Sequence, residues 1–587
     1  MPDVVDHPHS AHAATRAPKP WADVIILALV AGVFGTILFQ ASESVRDFRP
    51  MVSVSLEPSA LPLYALRSLG RGLASYLVSL AVTLVFATWA ARSARAERIL
   101  IPLFDILQGI PVLGFLPGLV LGMVALFPGS NLGLELACIL MIFTGQAWKM
   151  IFAYYGALKT VPPELRDIAR VHRFTPGQDF SKVELSSGAI PLVWNSMISM
   201  AGGWFFLTVN EAFTLEGRDF RLPGIGSYMS VAIDRGDTGA MVWAVVAMTA
   251  VILATDQLLW RPLIAWAARF SPDDADEGAA QSWVLDLWDR SFLAKWIHRR
   301  RMRRHEDLRN LVKARVPTGG REREARWEPE AEPVLPKILA ALRVLLVVGL
   351  VGLTAWGLHG AWKLLGRVGP DEWGDVFLSI LWTFLRIAAA VVLSCAWTIP
   401  VGIWIGRRAK LRKILSPVVQ VVAAFPAPML FPLLAVFIVN IGIPFDVGCV
   451  ILMVAGAQWY LLFNIIAGAS TRPAELDDVA RIMGLTGWRR WWILEIPSIF
   501  PSLLTGLITA AGGAWNACIV TEFVRFQGRT LSAPGLGTLL NRATVEGNFP
   551  LLAAGILVMA VTLVLLNRFF WKRLYHVAET RYALSAS

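Results

Sequence analysis

Long apolar stretches alternate with short polar loops along most of the chain. A helix needs about 20 mostly apolar residues to cross a bilayer, and each half of the chain holds six such stretches. Those of the first half run approximately over Trp21–Ala41, Leu69–Ala91, Ile101–Phe127, Leu134–Ala157, Ile190–Phe213 and Ala240–Phe270. Those of the second half run approximately over Leu339–Ala361, Val376–Ile405, Pro417–Ile441, Val447–Ala467, Ile499–Phe523 and Pro550–Tyr575. The pattern predicts an all-α polytopic membrane protein with about twelve transmembrane helices.

Composition and charge agree with that prediction. Hydrophobic residues make up 56% and charged residues 17% of the 587 positions, against about 45–50% and about 25% in soluble domains. A net charge of +11 would suggest nucleic-acid binding in a soluble protein, but here the basic residues lie in loops and in a central linker. Basic loops after the second, fourth and eighth spans indicate a cytoplasmic position. We therefore expect both termini in the cytoplasm and no nucleic-acid partner.

The second half of the chain repeats the first. Residues 311 positions apart match through much of each half, and upstream of that region the offset becomes 315. The matches include Cys138 with Cys449, Glu164 with Glu475, Trp204 with Trp515, Glu211 with Glu522, Pro223 with Pro534, and Arg71 with Arg386. Equivalent loops fall after the same span of each half, so the pattern predicts two parallel six-helix repeats related by a pseudo-twofold axis.

These boundaries divide the chain into five segments. We expect a cytoplasmic tail over 1–20, a first six-helix unit over 21–270, a second unit over 336–578 and a tail over 579–587. The charged segment 271–335 forms a cytoplasmic linker. Its tryptophans and leucines among charges fit an amphipathic helix at the membrane interface or a solvated linker helix equally well.

Two polar loops of one design, 162–191 and 473–501, separate the fourth and fifth spans of the units. In the second loop Leu476, Val479, Ala480 and Met483 recur at helical spacing. Pro473 precedes this stripe, acids occupy its early turns, and Arg481 and Gly484 follow at its end. A helix of about ten residues, about 15 Å long, is predicted, which is too short to cross a membrane.

These residues resemble the EAA loop of permeases of binding-protein-dependent ABC importers. Asp478, Val479, Ala480 and Gly484 stand in the places of Glu-Ala-Ala and Gly, and Ile496-Pro497 stands at the closing apolar-Pro step. The first loop matches at Asp167, Ile168 and Ala169, but Arg173 replaces the glycine and Ser186 the proline. The second half resembles the nitrate, sulfonate, taurine and bicarbonate group most.

The resemblance implies a multi-pass permease of the bacterial inner membrane for a small anion or small organic solute. It implies two cytoplasmic ABC ATPase subunits as partners, which bind ATP and Mg²⁺, together with a periplasmic or lipid-anchored substrate-binding protein and membrane lipid. No cofactor, metal or catalytic residue is expected in this chain. Each loop helix would be a coupling helix seated in an ATPase subunit, the alternative being a surface helix that only joins two spans. The implied coupling residues are Glu164, Asp167, Ala169, Arg170, Arg173, Glu475, Asp478, Ala480, Arg481 and Gly484.

The missing glycine predicts a difference between the two loops. Without a glycine stop at Arg173, we expect the first loop helix to run on and its ATPase contact to differ.

Polar residues inside the fifth spans indicate a translocation path. An ionised carboxylate at mid-bilayer costs about 2.5–3.5 kcal/mol on insertion scales, so we expect Glu211 and Glu522 to face a pore or, alternatively, to bond between helices. The predicted path residues are Trp204, Thr208, Asn210, Glu211, Trp515, Asn516, Ile519 and Glu522. Arg71 and Arg386 either snorkel to the interface or attract an anion. The Pro-Gly-x-Gly steps at Pro223 and Pro534 form either a turn that needs glycine freedom or a gate.

The sequence contains no GxxxxGK[ST] motif for phosphate binding, so the ATPase is expected on a separate chain. A self-contained secondary carrier driven by an ion gradient is the alternative function. An intramembrane enzyme is disfavoured, because the spans hold no cluster of His, Asp and Glu that would suit a metal and no Ser or Cys beside an obvious base.

Overall fold

The structure is a computed structural model. It describes residues 53–109, 112–127, 131–215, 218–270, 352, 355–473 and 475–582. The N-terminal tail, the predicted first span, the linker 271–335 and most of the predicted span Leu339–Ala361 lie outside the described residues. Residues 355–365, which include the end of that last span, are helical.

The first unit is helical apart from one hairpin. Its elements are α1 (Leu61–Arg92), α2 (Ala94–Gly109), α3 (Leu116–Leu126), α4 (Leu132–Lys159), α5 (Pro163–Val171), α6 (Pro176–Asp179), α7 (Leu185–Asn210), β1 (Ala212–Leu215), β2 (Arg218–Arg221), α8 (Ile225–Arg235), α9 (Thr238–Thr255) and α10 (Arg261–Ala267).

The second unit repeats this order. Its elements are α11 (Pro370–Gly406), α12 (Ala409–Ala424), α13 (Phe431–Asn440), α14 (Phe445–Ser470), α15 (Glu475–Ile482), α16 (Gly487–Arg490), α17 (Ile496–Thr521), β3 (Phe523–Phe526), β4 (Arg529–Ser532), α18 (Leu536–Glu546), α19 (Phe549–Leu566) and α20 (Lys572–Arg581).

Within the described residues, eight helices are long and apolar enough to cross a membrane. They lie at eight of the predicted spans, which confirms the prediction of a polytopic helical membrane protein. They are Pro58–Arg92, Leu132–Lys159, Pro176–Asn210, Thr238–Phe270, Pro370–Gly406, Phe445–Ser470, Gly487–Thr521 and Phe549–Ala578. The predicted total of twelve is not reached within the described part of the chain.

The third span of each unit is not one continuous helix, contrary to the prediction for Ile101–Phe127 and Pro417–Ile441. In the second unit α12 ends at Ala424, a 3₁₀ turn covers Ala427–Met429, and α13 follows. Pro426 precedes this turn, and proline cannot donate the backbone hydrogen bond that would continue a helix. The equivalent 3₁₀ turn of the first unit covers Val112–Phe115.

The two units pack around one axis. In the first unit α4 lies between α1 and α7, and in the second α14 lies between α11 and α17. Across the interface α2 packs on α19 while its equivalent α12 packs on α9. Likewise α17 contacts the 3₁₀ turn of the first unit and α7 contacts that of the second. Such reciprocal contacts are what a pseudo-twofold axis between two parallel repeats produces.

Two antiparallel hairpins interrupt the helices and were not predicted. β1 pairs with β2 and β3 with β4, each directly after the long helix α7 or α17. A 26-residue helix is about 39 Å long, so the hairpins lie at the opposite end of the molecule from α5 and α15. We call these ends the hairpin face and the loop face.

Candidate functional site

A buried carboxylate at the hairpin end of α7 is surrounded by hydrogen-bond donors. Glu211 is fully buried. Its Oε1 accepts from Arg71 Nη1 at 2.8 Å and from Ser68 Oγ at 2.6 Å, and its Oε2 accepts from the Gly226 N–H at 2.7 Å. Arg71 also donates through Nε and Nη2 to Glu135 at 2.5 and 2.7 Å. We call these five residues the Glu211 cluster.

The second unit contains the same arrangement. Glu522 accepts from Thr383 Oγ1 at 2.8 Å, from Arg386 Nη1 at 3.1 Å and from the Gly537 N–H at 2.8 Å. Arg386 also donates to Asp446 at 2.8 Å. These five residues form the Glu522 cluster, and each is the repeat equivalent of a member of the Glu211 cluster.

The Pro-Gly-x-Gly steps are required by these clusters. A Cβ on Gly224 would lie 2.3 Å from the Glu211 carboxyl carbon, and one on Gly535 would lie 2.4 Å from Glu522 Oε2. The backbone at Gly224 and Gly535 is extended, with φ of −172° and 172°. Close approach of a carboxylate, rather than conformational freedom, therefore explains these glycines.

The clusters change the interpretation of four charged residues. Arg71 and Arg386 do not snorkel to the interface, because both are buried and bonded to carboxylates inside the fold. Glu211 and Glu522 bond between helices, which was the alternative to a pore-facing position. A charge buried in a membrane protein is costly unless it is paired and hydrogen-bonded, and the clusters supply those partners.

Three cavities lie between the two units. A loop cavity of about 1050 Å³ reaches Ala467 and His576 near the loop face. A central chamber of about 250 Å³ adjoins it, since Lys149 and Tyr460 line both. A hairpin cavity of about 690 Å³ is lined by residues that include Arg525 of the second hairpin.

Five of the predicted path residues line these cavities. They are Trp204 in the loop cavity, Trp515 and Asn516 in the central chamber, and Thr208 and Ile519 in the hairpin cavity. Asn210, Glu211 and Glu522 line none of the three. Asn210 is buried, and its amide has no hydrogen-bond partner among the described residues.

About one helical turn separates the central chamber from the hairpin cavity. On α17 Asn516 lines the chamber and Ile519 lines the hairpin cavity. On α7 Phe205 lines the chamber and Thr208 lines the hairpin cavity. The Asn516 Oδ1 accepts from the Val112 N–H at 3.0 Å, which ties α17 to the first unit at this level. The two ends of the interface are thus separated in this conformation.

The short helices α5 and α15 expose apolar side chains on the loop face. Val171 is 79% and Ile482 86% exposed. The other exposed apolar residues of these segments are Leu165, Ile168, Val479 and Met483. Ala169 and Ala480 are buried and attach each helix to the molecule.

The remaining loop residues singled out by the sequence are exposed. They are Glu164, Asp167, Arg170, Arg173, Glu475, Asp478, Arg481 and Gly484. Arg170 pairs with Asp167 at 3.2 Å, and Arg481 pairs with Asp478 at 2.5 Å in the equivalent place. The helix predicted in the second loop is confirmed at Glu475–Ile482.

Both loop helices end in the same way, so the expected run-on of the first is wrong. Arg173 has a φ of 48° and Gly484 a φ of 61°. The next amide in each loop donates back to the buried alanine, Phe174 to Ala169 and Leu485 to Ala480, both at 2.9 Å. Arg173 therefore adopts the left-handed conformation that glycine adopts more easily.

The second loop is anchored more strongly than the first. Arg472 donates to Asp477 at 2.6 Å and to Glu495 at 2.8 Å. Arg407 bridges the same two carboxylates at 2.8 and 2.6 Å. Arg490 also binds both. We call these five residues the α15 anchor.

The first loop has a simpler anchor. Arg92 donates to Glu184 at 2.7 Å and lies 3.4 Å from Asp179. Arg166 stands at the position equivalent to Asp477 and donates to the Leu158 carbonyl at 2.8 Å. The loops thus differ in their fixation rather than in where their helices end.

The charges of the α15 anchor act on its aspartate. Burial alone would raise the pKa of Asp477, but the hydrogen bond from Arg472 and the charges of Arg472, Arg407 and Arg490 outweigh it and hold that pKa below its ordinary value. Asp477 is therefore ionised at neutral pH.

Two features of the site were not predicted from the sequence. The anchors join residues from three separate segments, and sequence spacing carries no signal of that. Lys149 was visible as a lone cation inside the apolar stretch Leu134–Ala157, and an ionisable residue within a span is a signal in its own right.

One protein-family model matches both halves of the chain. The model described as binding-protein-dependent transport system inner membrane component matches residues 83–258 and again 398–577. The taurine transport system permease protein of Escherichia coli is 25% identical over 210 residues, which are 35% of this chain and 72% of that protein. The nitrate import permease protein of Synechococcus elongatus is 29% identical over 153 residues, covering 26% and 53%.

A third relative has a different named substrate. The glycine betaine transport system permease protein of Bacillus subtilis is 25% identical over 187 residues, which are 32% of this chain and 62% of that protein. The chain therefore spans about half to three quarters of the length of these relatives. With two matches of the family model and two equivalent sets of membrane helices, the chain is a multi-pass inner-membrane permease that belongs to the binding-protein-dependent transport system inner membrane component family.

Proposed function

We propose that this chain forms the translocation path of an ATP-driven importer and that α5 and α15 each seat in a cytoplasmic ABC ATPase subunit. The observation that carries this proposal is the pair of exposed apolar surfaces, centred on Val171 and Ile482. Apolar side chains grouped on short exposed helices commonly mark a protein contact. Their occurrence at matching places in both units calls for two ATPase subunits.

The proposal sets the orientation of the molecule. The loop face and both termini lie in the cytoplasm, where the ATPase subunits bind ATP and Mg²⁺. The hairpin face lies outside, where a periplasmic or lipid-anchored binding protein delivers the substrate. The sequence contains no GxxxxGK[ST] motif, so nucleotide binding is assigned to the ATPase subunits, and lipid surrounds the exposed apolar spans of this chain.

The relatives and the cavities support the proposed substrate class. The relatives carry the names of taurine, nitrate, bicarbonate and glycine betaine permeases. The central chamber of about 250 Å³ is smaller than the roughly 300–1,000 Å³ of pockets for drug-sized ligands. Both facts support a small anion or a small organic solute.

Coupling passes along the chain from the loop helices to the path. The segment Pro176–Asn210 runs continuously from the first loop to the level that separates the cavities, and Gly487–Thr521 does so in the second unit. Closure of the ATPase dimer moves both segments together and opens the central chamber to one face at a time. The Glu211 and Glu522 clusters stay intact during this movement, so the hairpin end of each unit moves as a rigid body.

Co-purification tests the proposal. A tagged chain extracted from its native membrane is expected to bring down an ATP-binding subunit, and Val171→Asp with Ile482→Asp should lose it. Arg98→Ala, at an exposed position outside both loops, serves as the matched control and should retain the subunit. Absence of any ATPase with the unmodified chain would contradict the proposal.

Proteoliposomes separate the importer from a self-contained secondary carrier. Transport by the importer depends on ATP and on the ATPase subunits. Uptake of solute by the chain alone, driven only by an ion gradient, would favour the carrier.

A further inference from the structure

One cation faces the path without a carboxylate partner. Lys149 lies on α4 and lines both the loop cavity and the central chamber. Its Nζ lies 4.6 Å from the centroid of the Tyr460 ring on α14. Within the described ranges Lys149 forms no ion pair and no hydrogen bond.

The two carboxylates that line the same cavity are engaged elsewhere. Asp105 pairs with Lys572 at 3.0 Å and accepts from Asn567 at 3.3 Å. Asp256 pairs with Arg261 at 3.2 Å. Neither neutralises Lys149, so the positive charge remains directed at the cavity.

Lys149 and Tyr460 stand at the pseudo-twofold axis. They are repeat equivalents, 311 positions apart. A residue that contacts its own equivalent must lie on the axis that relates the two units. Gly202 and Gly513 are a second equivalent pair, and Cβ atoms built on them would approach Tyr460 to 3.6 and 3.4 Å, so α7 and α17 flank the tyrosine from both sides.

The surroundings suit a small anion. A cation inside a transmembrane segment is costly to bury and usually marks an ion or substrate pathway. Polar uncharged side chains line the chamber beside Lys149 and include Gln108, Thr144, Thr509 and Asn516. Trp148 and Trp515 complete its wall. The Thr144 and Thr509 hydroxyls already donate to backbone carbonyls. The amide nitrogens of Gln108 and Asn516 each use one hydrogen inside the fold, so each keeps a second N–H that can donate to an oxygen atom of a compact solute.

We propose that Lys149 binds the anionic group of the substrate at the centre of the path, with the Tyr460 ring holding the ammonium when the site is empty. This inference rests on the proposed transport function and specifies the substrate class: a small oxoanion, or a small solute that carries a carboxylate or sulfonate. The repeat places a cation on one side of the axis only, so a single anion binds per chain.

Anion-dependent thermal stability of the purified full chain tests the inference. A ligand that binds only the folded state stabilises it by RT ln(1 + [L]/Kd), so the unfolding midpoint rises as the ligand concentration exceeds the Kd. Nitrate, bicarbonate and taurine are the probes. Nitrate and bicarbonate each replace chloride at constant ionic strength, whereas taurine, a zwitterion with a sulfonate, is added at constant chloride. At least one is expected to raise the midpoint of the unmodified chain, and Lys149→Gln should weaken its apparent affinity about tenfold or more.

Matched variants separate a binding role from a structural one. Lys159→Gln on the same helix removes a lysine that pairs with Glu97 at the loop end, and it should leave the anion response unchanged. Lys149→Arg should retain a response, because it keeps the charge. An equal anion response in Lys149→Gln and the unmodified chain, or no response to any probe in the unmodified chain, would overturn the inference.

The result is independent of ATPase binding. A chain that responds to anions through Lys149 yet brings down no ATPase keeps this inference and removes the proposed importer. A chain that brings down the ATPase, but whose anion response is the same with and without Lys149, keeps the proposed importer and removes this inference.

Discussion

Arg71 and Glu211 lie 140 residues apart in the sequence and hold a guanidinium nitrogen and a carboxylate oxygen 2.8 Å apart in the fold. Because Arg71 also binds Glu135, this contact joins α1, α4 and α7 at the hairpin face. Arg386 and Glu522 join the equivalent helices of the second unit at 3.1 Å. The hairpin end of each unit is thereby fixed internally, which leaves relative movement to the interface between units.

Neutralising either buried glutamate should destabilise the protein. Glu211→Gln and Glu522→Gln keep the shape of the side chain but remove one partner of a buried ion pair, which costs about 3–5 kcal/mol. We expect the larger loss for Glu522→Gln, because Arg386 would keep the Pro534 carbonyl and a single bond to Asp446, whose side chain is 60% exposed. Arg71 would keep two bonds to Glu135.

Thermal unfolding in detergent measures this difference. Glu57→Gln, at an exposed position before α1, is the control and should leave the midpoint unchanged. Midpoints of the two cluster variants equal to that of the control would contradict the structural role of the clusters.

The left-handed residues after the loop helices predict opposite effects of two substitutions. Arg173→Gly should stabilise the end of α5, because a non-glycine residue in this conformation costs about 1–2 kcal/mol. Gly484→Ala should destabilise the end of α15 by a similar amount, and only through its backbone, since no atom lies within 4 Å of the added Cβ.

Hydrogen exchange of the loop amides reports these local changes. Protection of Phe174 should rise in Arg173→Gly, and protection of Leu485 should fall in Gly484→Ala. Gly177 also has open space around it and no positive φ, so Gly177→Ala is the matched control. Unchanged exchange in both loop variants would refute the argument.

The unequal anchors predict unequal coupling. Glu495→Gln weakens three arginine contacts in the α15 anchor, whereas Glu184→Gln weakens one arginine in the first loop. Under the proposed function, Glu495→Gln should uncouple ATP hydrolysis from transport more than Glu184→Gln does. The same order is expected for Glu475→Lys against Glu164→Lys.

The coupling ratio, moles of ATP hydrolysed per mole of solute transported in proteoliposomes, measures this effect. Equal ratios for the two members of each pair would remove the functional asymmetry of the loops.

The α15 anchor should also resist acid. The folded-state pKa of Asp477 lies below its ordinary value, so its contribution to stability is complete above about pH 3.9, the ordinary pKa of aspartate. That contribution is lost only as the pH falls through the lower folded-state pKa. Proteolysis of the second loop should therefore stay constant from pH 8 to pH 5, whereas Asp477→Asn should be cleaved faster throughout. Loosening of the unmodified loop between pH 7 and pH 5 would contradict this.

The pattern of apolar and polar residues predicted much of the architecture. The apolar stretches predicted eight of the membrane helices at their observed places, and the order of acids, Arg481 and Gly484 predicted α15, because helix formation depends on neighbours within a few residues. Composition alone did not reveal the breaks in the third spans; in the second unit Pro426, which precedes the break, lies within an otherwise apolar run.

Spacing and offset along the chain were enough to predict the helices, the repeat and the family resemblance, because both are properties of a one-dimensional sequence. The roles of the charged residues became visible in the packed fold. Glu211 was an intramembrane acid with two possible roles until Ser68, Arg71 and Gly226 were seen to surround it. Lys149 and Tyr460 lie far apart in the sequence, and the packing of the two units brings them into contact at the axis. Electrostatic energy depends on distances between atoms that lie far apart in the chain, and only the packed helices set those distances.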